Sequence, residues 1–280
     1  MTLKKNLSQY FPDNSIPSLV KNWRVTLPPG RVSPYSIKIY RKYLSQLIKK
    51  KNIKTLVLGS TPELRDLCLA RGWHLTSIDI NHNMQLAMRR FMKQNYNQEV
   101  LINADWLKAS LPQNHFDLVL SDWAVNMVSR VDLPKLFLNI NHWLKNTGYF
   151  FEQTGYFDKT FQFKSFAEII SHYDHQKNIN VNDLRWLLLL STWRAKDEKI
   201  YYQDYSDNLK KHLTLLDNWY KQNRITEKEL AGLKIYLNSK KQAVIFKKET
   251  YLSSFEKYFK ILDEFPGEQV LSRFYLAKKK

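Results

Sequence analysis

The sequence predicts an α/β fold: a mostly parallel sheet with helices on both faces, an N-terminal leading helix, and a helical insertion before the last two strands. Three observations predict it. Up to about residue 155, short apolar runs alternate with amphipathic helical stretches, a pattern that requires right-handed βαβ crossovers and a sheet covered on both sides. From about Tyr156 to Lys240 the apolar period becomes helical almost throughout. Two further strand-like segments then close the chain. With 280 residues, 44% of them hydrophobic, the chain is long enough to bury a substantial core.

After a polar start, "RVSPYSIKIYRKYLSQLIKK" sets Ser33 as N-cap and Pro34 at the first position of the leading helix. Strand and helix then alternate through "TLVLG", "ELRDLCLARG", "LTSIDI", "MQLAMRRFMKQ", "EVLIN", "FDLVLSD", "LPKLFLNINHWLK" and "GYFFEQ". The insertion contains "NDLRWLLLLSTWRA", "SDNLKKHLTLLDNWYKQ" and "TEKELAGLKIYL", the last opened by a capping box of Thr226 with Glu229. "YLSSFEKYFKILDEF" reads as a helix running into a strand, and "QVLSRFYLAKK" as the final strand. No internal repeat or low-complexity linker separates these parts. The expected division is 1–52 for the leading segment, 53–155 for the nucleotide-binding core, 156–240 for a helical cap and 241–280 for the completion of the sheet.

Lys plus Arg number 44 against 26 Asp plus Glu, a formal net charge of +18. Such an excess favours an anionic partner such as RNA. It is mostly Lys and is spread along the whole length, so compositional drift explains it slightly better. Cys68 is the single cysteine, which leaves no disulfide framework and no thiolate metal cluster. The N-terminal "MTLKKNLSQYFPDN" lacks the apolar stretch of a signal peptide, and the longest apolar run, Trp186 to Leu190, is too short to cross a bilayer. A cytoplasmic protein without a membrane partner or a metal site is expected.

The turn after the first strand carries the most chemistry. In "LGSTPEL", Gly59 allows a tight bend and close approach of a ligand to the backbone. A phosphate-binding turn wants several glycines, free N–H groups and no negative charge. Here Ser60 and Thr61 follow the glycine, Pro62 removes an N–H, and Glu63 puts a carboxylate in the first helical turn, where it suits the helix dipole and repels a pyrophosphate. NAD and FAD are disfavoured. A nucleoside bearing an ammonium and a sulfonium, S-adenosyl-L-methionine, fits the turn.

Asp79 closes "LTSIDI" twenty residues after Gly59, the spacing at which a carboxylate accepts from both ribose hydroxyls. In "NADW", Asp105 can accept from an adenine amino group and Trp106 can lie against the purine. "SDWAVN" places Asp122, Trp123 and Asn126 at the end of the fourth strand. Helix capping or core packing would explain Asp79, Trp106 or Asp122 singly. It does not explain polar residues at four successive strand ends, the edge where open α/β sheets bind ligands.

The ordered set "LVLGSTPEL", "SIDIN", "NADW", "FDLVLSD" and "LKNTGYFF" resembles the motif series of class I S-adenosylmethionine-dependent methyltransferases. It is most similar to a bacterial subgroup in which a "GxTPEL" turn replaces the glycine-rich loop. The resemblance runs from "PPGRVSP" to "RFYLAKK" and implies a Rossmann-like, seven-stranded sheet. It implies that Gly59, Ser60, Thr61, Pro62 and Glu63 line the methionine end, Asp79 and Ile80 the ribose, and Asp105 and Trp106 the adenine. Met84 would pack nearby, and Asp122 and Trp123 would face the reacting methyl. The chain departs from the family pattern where Ser60 to Glu63 replace the later glycines and where "LKNTG" stands in place of "LKPGG".

No Asn/Asp-Pro-Pro-Tyr motif follows the fourth strand, which argues against methylation of DNA-base amino groups, and Cys68 sits mid-helix as a core residue. Asp122 is the expected base or acceptor-orienting group. The insertion is expected to enclose a small-molecule acceptor, with Arg185, Arg194, or the His172, Asp174 and His175 group as polar features, and Arg31 and Tyr40 closing over the cofactor. Two alternatives stand beside this reading: an RNA methyltransferase, and a protein that binds the cofactor without turnover.

Overall fold

The computed structural model describes residues 13–48 and 52–280; the segment read for a leader peptide lies largely outside them. Ser15 caps helix α1 (Ile16–Val25), and Ser33 caps α2 (Pro34–Leu47) by accepting from the Ser36 N–H, with Pro34 at the first position as the sequence predicts. The core then alternates: β1 (Lys54–Leu58), α3 (Pro62–Leu69), β2 (His74–Asp79), α4 (His82–Arg89), β3 (Val100–Asn103), β4 (Phe116–Asp122), α5 (Leu133–Trp143) and β5 (Leu144–Phe157). The chain closes with α11 (Lys248–Phe255), β10 (Phe259–Pro266) and β11 (Ser272–Lys279).

These strands form one sheet in the order β10, β11, β5, β4, β1, β2, β3. The first five strands in the chain pair parallel, and β11 runs antiparallel between β5 and β10. Covering on both faces explains why β1 reads as a continuous apolar run. Leu56 and Leu58 pack with Val119, Phe137 and Phe150 beneath α5 and α11, whereas Val57 packs on the opposite face with Leu64, Leu118, Phe151 and the buried Cys68. Each such side chain contributes about 1.5–3 kcal/mol. The sheet is therefore a rigid floor, and the carboxyl ends of β1, β2, β3 and β4 lie along one edge of it.

Between β5 and α11 lies the insertion: α6 (Phe166–Asp174), α7 (Val181–Leu190), β6 (Trp193–Arg194), β7 (Lys199–Tyr201), α8 (Tyr202–Lys210), α9 (Leu213–Lys221), α10 (Glu227–Lys234), β8 (Gln242–Val244) and β9 (Phe246–Lys247). It is mostly helical, with the Thr226 and Glu229 capping box in place. It also holds a three-stranded antiparallel sheet of β6, β7 and β8. Strands of two or three residues are too short to show a two-residue alternation, so the helical period masks them. The insertion buries its own core, including Trp186, Leu188, Leu209 and Trp219, and joins the sheet through Phe157 and β9, which pairs with the end of β5.

The leading segment ties these parts together. Helix α1 packs Leu19 against Ala87 and Met88 of α4, with Met84 alongside. At its exit, the fully buried Arg185 of α7 donates to the backbone carbonyls of Leu27 and Pro28. Arg185 is thus a strut between insertion and leading segment, and its guanidinium is spent on backbone carbonyls rather than left as a polar feature of an acceptor pocket.

Candidate functional site

Gly59 ends β1 with φ +89, a backbone conformation that favours glycine, and donates its N–H to the Ile78 carbonyl at 2.8 Å. The turn that follows is braced from below. Arg65, fully buried on α3, makes a two-pronged pair with Glu99 at 2.5 and 2.6 Å and donates to the Ser60 carbonyl at 3.2 Å and the Gln85 carbonyl at 3.1 Å. Glu99 also accepts from Ser77 and Arg89. Sequence reading misses this brace, although an arginine on the same helix face as Leu64 and Cys68 is a signal in retrospect.

Asp79, at the end of β2, faces the turn. Its Oδ2 accepts from the Ser60 hydroxyl at 2.7 Å and its Oδ1 from the Asn81 N–H at 2.8 Å, while burial raises its pKa. Each oxygen keeps capacity for a further bond. Trp106 is held by a bond from its Nε1 to the Ile78 carbonyl at 2.9 Å, which sets its ring beside Gly59. Asp105 spends one oxygen on the Leu107 N–H of its own loop. The Ile80 carbonyl accepts from Asn103, and the Met84 N–H is capped by Asn81. Thr61 precedes α3 without a capping bond, and Pro62 opens the helix.

Glu63 and Asp122 meet at the same edge. One Glu63 oxygen pairs with Arg31 at 2.5 Å, so its charge is partly cancelled and Glu63 is not the free carboxylate the sequence suggests. That other oxygen, Oε2, is buried without a partner, and so is Asp122 Oδ1. Burial first, and the charge of Glu63 second, push Asp122 well above the usual carboxylate range. Arg31 thus reaches the cofactor turn from the leading segment, resting over Trp23 at 5.4 Å.

Several expected contributors are spent elsewhere. Tyr40 is buried against Phe151 and Phe274 and donates to the Ser121 carbonyl. Asn126 binds the Gly155 and Val244 carbonyls and accepts from Thr154 and the Gly155 N–H, so it bolts β4 and β5 to the insertion. Arg194 pairs with Asp204, and Asp174 accepts from Trp219 and Arg224. Trp123, at φ +58, lays its ring on Gly155 and meets Trp186 edge-to-face at 5.2 Å. A methyl group on Gly155 would collide with that ring. Gly155→Ala is therefore expected to cost about 1–3 kcal/mol in denaturant unfolding and to shift tryptophan emission.

Residues 58–151 match the model of a family described as a methyltransferase domain. The fold around that match is the Rossmann-like fold of class I methyltransferases. The cofactor of this class is S-adenosylmethionine. The domain is similar to solved structures across nearly its whole chain. The PH0226 protein of Pyrococcus horikoshii OT3 has TM-score 0.54 and 16% identity, over 88% of this chain and 92% of that one. The 1,6-didemethyltoxoflavin-N1-methyltransferase of Burkholderia thailandensis has TM-score 0.51 and 9% identity, over 99% and 87%. The N-methyltransferase NodS of Bradyrhizobium japonicum WM9 has TM-score 0.50 and 11% identity, over 95% and 99%. At such identities the likeness extends to the fold of the methyltransferase domain. None of the curated proteins matches the chain in sequence.

Proposed function

We propose that the chain transfers the methyl group of S-adenosyl-L-methionine to a small molecule held between Asp122 and the insertion. The observation that carries this reading is the pair of buried, unpartnered oxygens, Glu63 Oε2 and Asp122 Oδ1, at the carboxyl edge. The Glu63 charge raises the proton affinity of Asp122, so the edge calls for a cation, and an ammonium group with its three donors answers that. Asp79 has acceptor capacity left for ribose hydroxyls, Ile80 follows it, and Trp106 offers a flat apolar surface beside the open backbone of Gly59. Asp105 Oδ2, 3.9 Å from the exposed Lys108 ammonium, serves the adenine amino group.

When bound, the cofactor supplies a methyl carbon made electrophilic by the adjoining sulfonium. The chain's own task is to hold the acceptor in line with the sulfur–methyl bond. The acceptor atom bonds to the methyl carbon as the carbon–sulfur bond breaks, and that electron pair stays on sulfur. Asp122, its Oδ1 buried at this edge, orients the acceptor, and the acceptor's proton passes to solvent.

Calorimetry with S-adenosylmethionine, S-adenosylhomocysteine and NAD tests the reading. Both sulfur nucleosides are expected to bind one per chain, with NAD undetected. Tighter binding of NAD would overturn it. Transfer of labelled methyl into a pool of metabolites separates turnover from binding alone.

A further inference from the structure

We propose that the acceptor is a cation, an ammonium-bearing small molecule with an apolar body, taken up by the groove between α7 and the β10–β11 hairpin. This rests on the methyltransferase reading above. The groove holds about 930 Å³, and its walls include Asp183, Trp186, Tyr173, Phe161, Glu268 and Arg273. Asp183 and Glu268 lie close enough for Glu268 to raise the Asp183 pKa, after burial as the larger cause. Their polar contacts are to neutral amides: Asp183 accepts from Asn180 at 2.7 Å, and Glu268 accepts from Gln269 at 3.4 Å. Among the described residues, neither belongs to an ion pair.

The other charges on the groove are balanced. Arg273 turns to Glu264 at 3.8 Å and to the Ser272 carbonyl at 2.9 Å, and Asp158 pairs with Lys248 at 3.5 Å. The surplus is therefore two carboxyl groups, in a chain whose formal net charge is +18. Overall charge attracts anions from a distance, but this groove repels them locally. An RNA strand does not fit such a surface, whereas an ammonium group does. Aromatic walls add attraction for a cation and cover for its body.

One wall of the groove backs onto the carboxyl edge of the sheet through Ser272 and Gln153. Its wall includes Gly267, where an added Cβ would lie 3.0 Å from the amide nitrogen of Gln153. Gln153 is 1% exposed, its Oε1 has no partner, and it sits beside Asp122 in the register of β4 and β5. Trp186 fastens the wall to the hairpin through the Val270 carbonyl at 2.8 Å. A neighbouring pocket of about 200 Å³ shares Phe161 and Tyr173 but has no carboxylate on its walls, so it offers no comparable cation site.

The test uses the full chain saturated with S-adenosylhomocysteine and titrated with three probes of one shape: 2-phenylethylamine, 2-phenylethanol and 3-phenylpropionate. The amine is expected to bind at least about tenfold more tightly than the alcohol, with the acid weakest. That preference should shrink as salt rises from about 0.05 to 0.5 M. Glu268→Lys, a change at an exposed loop position, and separately Asp183→Asn should each remove most of the preference and leave the alcohol's affinity where it was. Equal binding of amine and alcohol, no binding of the amine, or displacement of a bound amine by an RNA oligonucleotide overturns the proposal. Failure of S-adenosylhomocysteine to bind at the outset would instead fail the methyltransferase reading.

Discussion

Arg65→Met is expected to lower stability by about 3–5 kcal/mol, because it leaves the Glu99 carboxylate buried without its main partner. For a chain of this size that corresponds to a fall in Tm of roughly 6–20 °C. Glu99 keeps Arg89 at 3.2 Å and the Ser77 hydroxyl, which places the loss toward the lower end. Scanning calorimetry reads the change. The double variant Arg65→Met with Glu99→Met should recover a good part of it, since a buried ion pair replaced as a unit by apolar groups costs little. Arg65 also holds the Ser60 carbonyl, so cofactor affinity should fall although the arginine has no part in contacting the ligand. A single variant as stable as the parent chain would show that the brace carries no load.

Asp79→Ala should have the larger effect on binding. A hydrogen bond to a charged acceptor contributes about 1.5–3 kcal/mol, so losing two to ribose hydroxyls weakens S-adenosylmethionine binding by roughly 10²- to 10⁴-fold. Asp79→Asn keeps one acceptor oxygen and should fall between. Because burial already raises the Asp79 pKa, removing the carboxyl relieves a desolvation cost. Tm should therefore change little even though the Ser60 hydroxyl and the Asn81 N–H lose their acceptor. Titration calorimetry on both variants distinguishes the outcomes, and an unchanged affinity would remove Asp79 from the ribose site.

What could be read in advance follows the range of the interactions involved. The strands, the helices between them and the caps at Ser33 and Thr226 depend on neighbours within about one or two turns, and they are legible as periods and spacings. The strand-end residues follow from the same logic, because strands that run parallel bring their carboxyl ends to one edge. Their individual roles do not follow. Trp123 and Asp122 are adjacent, yet the left-handed backbone at Trp123 turns its ring onto Gly155, while Asp122 stays at the edge beside Glu63. Arg185 reads as a free cation beside a leucine run until the Leu27 and Pro28 carbonyls, more than 150 residues earlier, are folded onto it. The short strands of the insertion likewise exist only through their partners.

The sequence by itself determined the parallel sheet, its order of helices and strands, and a tight turn after β1 that opens a helix on proline, since these rest on local periodicity, on the fixed ring of Pro62 and on the backbone freedom of Gly59. Tertiary structure alone decided which charges stay free there. Arg31 pairs with one oxygen of Glu63, Arg65 is consumed by Glu99, and the oxygens left over at Glu63 and Asp122 are buried without a partner. A carboxylate's chemistry depends on what is folded within a few ångströms of it, and no spacing along the chain records that distance.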